Sequence, residues 1–105
     1  MHDRPGTRST PSRVADELQV AEALAGIGDG LREWQRESVF LRAALDRGTS
    51  RLYLEPRIVS LGRKVASARE KLARALDTLP ENLRRHRHVQ DLARALEALD
   101  RAIPR

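Results

Sequence analysis

The sequence predicts an all-α protein, an antiparallel three-helix bundle whose first helix is long and able to kink. Three observations carry that prediction. The chain is rich in Ala, Leu, Arg and Glu, which lose little rotamer freedom in a helix. It has only three aromatic residues, Trp34, Phe40 and Tyr53, where a β-sandwich would draw heavily on aromatic and β-branched side chains. Its apolar residues recur at steps of three and four, which is the helical period. At 105 residues the chain makes one domain, and a chain of this size buries roughly two-thirds of the surface its unfolded form exposes.

The first helix is expected from about Arg13. Thr10 or Ser12 offers a cap, and Pro11 suits a first helical turn. Its seam reads Val20, Leu24, Ile27, Leu31, Trp34, Leu41 and Leu45, with Ser38 filling one gap. This is an a/d heptad pattern. It runs in phase through Gly26, Gly28 and Gly30, where two readings compete. Each glycine costs about 1 kcal/mol relative to Ala inside a helix, which argues for a break. The unbroken phase argues for one helix to about Arg47, and continuity is the expectation. The alternative is a four-helix bundle with a break at residues 26–30. Gly26 and Gly30, four apart, form a notch that lets another backbone approach.

Gly48 is a natural stop for that helix. Thr49 to Glu55 reads as an extended connection whose Leu52 and Leu54 cover the bundle end. Pro56 suits the first position of a second helix, with the seam Ile58, Leu61, Val65, Ala68, Leu72, Ala75 and Leu79. Thr78 and Glu81 match a capping box across Pro80. The third helix follows with the stripe Leu83, Val89, Leu92, Leu96, Leu99 and Ile103, and ends before Pro104. The expected helices are thus 13–47, 56–78 and 80–102. At 1.5 Å per residue the first spans about 50 Å and the others about 33 Å. Part of the first would then overhang, and an overhanging apolar seam calls for a partner. Leu24, Ile27, Leu31 and Trp34 are the residues expected to face it. Residues 1–12, with Pro5, Gly6 and Pro11, read as a flexible N-terminal tail, and 13–105 as the bundle domain.

Charge is polarised. The net charge is +5; residues 1–55 carry −1 and residues 56–105 carry +6. Lys64 and Lys71 are the only lysines among 20 basic residues. Arg69, Lys71, Arg74, Arg84, Arg85 and Arg87 are therefore candidates for binding a polyanion such as a nucleic-acid backbone. The near absence of aromatics excludes a base-stacking platform.

Catalytic chemistry finds no foothold. The 15 acids are spread over polar faces, mostly within reach of arginines at helical spacing, as exposed helices are usually decorated. There is no cysteine, so disulfides and thiolate metal sites are excluded. His86 and His88, two apart, diverge on a helix and do not form a metal pair. No cofactor and no small-molecule substrate is implied. No apolar run approaches the roughly 20 residues of a membrane span, and the polar N-terminus lacks the core of a signal peptide, so a cytoplasmic location is expected. The function that fits is a non-enzymatic protein–protein interaction or assembly module, self-associating or docked on a larger partner. The alternative is a basic helical subunit that binds nucleic-acid phosphates without sequence specificity.

Overall fold

The computed structural model describes the backbone of residues 5–105 and the side chains of residues 13–105. The described residues form four α-helices: α1 (Pro5–Leu24), α2 (Leu31–Asp46), α3 (Arg51–Thr78) and α4 (Arg87–Ala102), with a short 3-10 turn at Glu81–Leu83. No strand is found among them. Residues 1–4 of the expected tail lie outside the described residues, and α1 begins at Pro5, within the stretch read as tail.

The first seam does not run through one helix. The chain leaves the α-helix at Ala25 and re-enters it at Leu31, so the expected continuity across Gly26–Gly30 is corrected. Each glycine has its own reason. Gly26 sits at φ +82°, in the left-handed region that lets glycine end a helix. A Cβ on Gly28 would lie 3.1 Å from the Leu92 side chain of α4, and one on Gly30 would strike the Trp34 indole. The heptad phase survives because the linking turns are themselves near-helical. Ile27 N–H donates to the Leu24 carbonyl at 3.1 Å, and Leu31 N–H donates to that of Gly28 at 3.1 Å. Tight i→i+3 turns carry Ile27 to the same side as Val20 and Leu41.

The second connection also differs from the expectation. Arg51 to Glu55 is not an extended loop; it is the first turn of α3, which contains Pro56 inside the helix. The stop at Gly48 is as read, with φ +94°. Thr49 N–H reaches the Ala44 carbonyl at 2.9 Å, and Gly48 N–H reaches that of Leu45 at 3.0 Å, the bond pair of a Schellman cap. Helix α3 restarts early because Leu54 belongs to the seam of Ile58, Leu61 and Val65, by steps of four, three and four. Leu54 is buried with them. Leu52 faces away from the core and is 84% exposed.

The third expected helix, from residue 80, is shortened at its start. Thr78 does not form a capping box. Its hydroxyl donates back to the Ala75 carbonyl at 2.7 Å. After Pro80 the 3-10 turn folds Leu83 inward, and Arg84 Nε donates to the Leu79 carbonyl at 3.1 Å. His86 then caps α4: its Nδ1 accepts the His88 N–H at 3.2 Å.

The core is stacked in three levels along α3, which is about 42 Å long at the usual helical rise. Val20 of α1 meets Leu79, Leu83 and Val89 at one end. Ile27 of the break meets Ala68, Leu72 and Leu96 in the middle. Leu41 and Ala44 of α2 meet Leu54, Ile58, Leu61, Val65, Leu99 and Ile103 at the other end. Helices α1 and α2 therefore serve successive levels of one bundle, each packed on α3 and α4. Ser38, the polar gap in the seam, is buried, and its hydroxyl donates to the Ala102 carbonyl at 3.3 Å. The whole measures 71 × 23 × 17 Å.

Candidate interaction surface

The four residues expected to face a partner are used within the chain. Ile27 is buried, while Leu24, Leu31 and Trp34 are half-buried against the middle level of the core. Because the break lets α1 and α2 follow α3 and α4, the seam from Val20 to Leu45 packs within the chain. Upstream of Val20 the large exposed apolar residues among the described side chains of α1 are Val14 and Leu18.

The apolar surface lies elsewhere. Val39 and Phe40 on α2, and Leu52, Tyr53 and Val59 on α3, are large and exposed. They lie on the two arms of the α2–α3 hairpin. Leu52, Pro56 and Val59 follow at steps of four and three, and Tyr53 stands one turn before Arg57. Leu52, Pro56 and Val59 share a shallow recess whose rim is Glu55, Arg63 and Lys64. Across the hairpin, the Arg57 guanidinium sits 4.5 Å from the centre of the Phe40 ring. Val39 and Phe40 line a second recess with Arg32, Gln35 and Arg36. Two of the three aromatic residues are thus at the surface here, and Trp34 is the one tied to the core.

Arg57 anchors this face. It grips Glu37 of α2 with both arms, Nε to Oε2 at 2.8 Å and Nη2 to Oε1 at 2.6 Å. The hydrogen bonds to Glu37 raise the Arg57 pKa above its ordinary value. A forked arginine–carboxylate pair fixes geometry better than a single contact, so it sets the register of α2 against α3 beneath the Phe40 ring.

The six basic residues expected to meet a polyanion are not one patch. Arg69 is paired with Asp100 of α4 at 3.1 Å and Arg74 with Glu70 at 3.0 Å. Arg84 is tied to the Leu79 carbonyl. Lys71 lines a groove on another side of α3, beside the break. Arg85 and Arg87 flank His86 in the exposed connection into α4 and have no ion pair among the described residues. The rings of His86 and His88 lie 4.9 Å apart, and His88 Nε2 is 4.0 Å from Glu17 of α1. Among the described residues no cluster of His, Asp or Glu is arranged to hold a metal, and no helix is long and apolar enough to cross a membrane.

The sequence reading set Leu52 over the bundle end beside Leu54 and did not single out Val59 or Tyr53 as surface residues. The missing signal was the phase of Leu54. Once Leu54 is taken as a seam residue, Leu52, Tyr53, Pro56 and Val59 fall on the outer side. No family model, curated protein or solved structure matches the chain.

Proposed function

We propose that the protein is a non-enzymatic helical assembly module that self-associates through the exposed apolar face of the α2–α3 hairpin. The observation behind this reading is the clustering of Val39, Phe40, Leu52, Tyr53 and Val59 on one hairpin, although the chain's own core is already filled by other residues. An apolar face with aromatic and arginine members around it has the composition of an interface centre. Pairing two copies would remove it from water at roughly 25 cal/mol per Å² of apolar area.

Light scattering or sedimentation at micromolar concentration tests this directly. The expected result is a dimer or larger species. Leu52→Glu combined with Val59→Glu should return it to monomer, with a melting temperature that matches the native protein at high dilution, where association no longer adds stability, because both side chains lie outside the core. A monomeric native protein overturns the proposal.

A second reading rests on Arg85 and Arg87, which project from the α4 entry without acidic partners among the described residues. They would contact nucleic-acid phosphates. A fluorescent duplex should then bind at low salt, weaken steeply as salt rises, and lose affinity in the Arg85→Ala, Arg87→Ala variant. No binding near about 50 mM salt removes this reading.

A further inference from the structure

We propose that the groove between the Ala25–Gly30 break and α3 binds a small phosphate-bearing ligand, held by Lys64, Lys71 and Arg63. This site adjoins the hairpin face, sharing Arg63 and Lys64 with the rim of its recess, and goes beyond the assembly reading.

The groove is a cavity of about 390 Å³, within the size range of small-ligand sites. Arg63, Lys64, Ser67 and Lys71 line it from α3, and Asp29 and Trp34 line it from the other wall. Three cations thus face one acid. The chain normally neutralises its basic residues along a helix: Arg51 with Glu55, Arg74 with Glu70 and Arg101 with Glu97 are all i,i+4 pairs. Here it does not. The residues three and four away from Lys64 are Ser60, Leu61, Ser67 and Ala68. Those around Lys71 are Ser67, Ala68, Arg74 and Ala75, and those around Arg63 are Val59, Ser60, Ala66 and Ser67. None is acidic, and none of the three cations has an ion pair among the described residues.

The residue type adds a second argument. Every other basic residue of the chain is arginine; its two lysines both line this cavity. They occupy equivalent places in two successive heptads, Ser60-Leu61-Gly62-Arg63-Lys64-Val65-Ala66 and Ser67-Ala68-Arg69-Glu70-Lys71-Leu72-Ala73. Val65 and Leu72 bury the shared seam, so the repeat carries both lysines along the same flank, about 10 Å apart on the helix axis. A lysine presents a compact charge with three rotatable donors, suited to a phosphate group that can be approached from several directions. Ser67, between them, adds a hydroxyl donor.

Trp34 is the only tryptophan and lies in the wall, so its fluorescence reports the groove. Sodium pyrophosphate is the probe, titrated at low salt against sodium chloride of equal ionic strength. The expected result is a saturable change in Trp34 emission. Lys64→Gln with Lys71→Gln should weaken it at least about tenfold while circular dichroism and the melt stay as in the native protein. Arg85→Ala with Arg87→Ala should leave it unaltered. An absent or non-saturating response overturns the proposal, as does equal affinity in the lysine variant. A single-stranded oligonucleotide that binds where pyrophosphate does not also overturns it, in favour of an extended polyanion surface. Lys64 also stands on the rim of the hairpin recess. Self-association is therefore judged on the native protein and the Leu52→Glu, Val59→Glu variant alone, and pyrophosphate binding on the native protein and the lysine variant; the two failures are then read separately.

Discussion

The Trp34 indole lies across Gly30 so closely that a Cβ on Gly30 would stand 2.6 Å from it. The glycine therefore makes room for the tryptophan one turn further on, and the tryptophan in turn closes the middle of the core beside Ile27 and Ala68. Gly30→Ala should displace the indole and cost about 1–3 kcal/mol, the usual range for overpacking. A lowered urea midpoint together with an altered Trp34 emission maximum checks it. An unchanged emission spectrum would mean that the ring does not occupy this position.

Gly26 and Gly48 hold positive φ angles for a different reason, and their substitution separates backbone from packing. Nothing lies within 4 Å of a Cβ on Gly48, so Gly48→Ala reports the left-handed backbone alone, about 1–2 kcal/mol. Gly26→Ala should cost a similar amount, since only an Asp29 oxygen at 4.0 Å is near. Gly28→Ala meets Leu92 at 3.1 Å with no positive φ, so its cost depends on how far that leucine yields. Chemical denaturation of the three variants should show Gly26→Ala and Gly48→Ala destabilised alike. A neutral Gly48→Ala would contradict the Schellman cap.

Core and surface leucines should part company. Leu41 and Leu96 are almost fully buried, so Leu41→Ala or Leu96→Ala should cost about 2–5 kcal/mol. Leu52→Ala should change the stability of the monomer by less than about 0.5 kcal/mol. Thermal melts under dilute conditions make the comparison. A large loss from Leu52→Ala at high dilution would place that side chain inside the fold.

Asp100 links three parts of the chain and gives a pH dependence of definite sign. Its carboxylate accepts from Arg105 Nη2 at 2.7 Å and from Arg69 Nη1 at 3.1 Å. The Arg105 hydrogen bond is the chief cause of its lowered pKa; burial acts the other way, and the charges of Arg105 and Arg69 add to the lowering. A carboxylate with a depressed folded pKa adds stability above its unfolded value, near 3.9, and that stability is lost as pH falls through the lowered folded value. Native protein should therefore exceed Asp100→Asn by up to about 1 kcal/mol at neutral pH, small because the pairs are solvent-exposed. The two should converge as pH falls below the lowered folded value. A difference that persists undiminished in acid would rule out the electrostatic account.

The helical class and most of the core were readable from the step pattern. Val20, Ile27, Leu41, Ile58, Leu61, Val65, Leu72, Leu96 and Leu99 all face inward as their spacing requires. What the pattern did not resolve was the backbone between them. A seam in phase across Gly26–Gly30 is equally consistent with one helix or with two helices joined by near-helical turns. Only the positive φ of Gly26 and the close approach of Leu92 to Gly28 distinguish them, and both depend on tertiary neighbours. Pro56 misled for a related reason: it suits a first turn, yet the pull of Leu54 into the core drew the helix one turn further back. The pairing of Arg69 was not legible either, because the acid that meets it, Asp100, lies on another helix across the bundle.

The stacked three-level core has a consequence for how the molecule moves in water. Its radius of gyration is 18.7 Å, against about 13 Å for a spherical domain of this length. A rod of this kind meets more friction than its mass implies. It will elute early from a sizing column, with the apparent volume of a heavier globule, and it will tumble faster about its long axis than end over end. Nuclear relaxation rates should therefore depend on the angle each N–H bond makes with the bundle. The amides of α2, α3 and α4, which point along that axis, should share one slow correlation time.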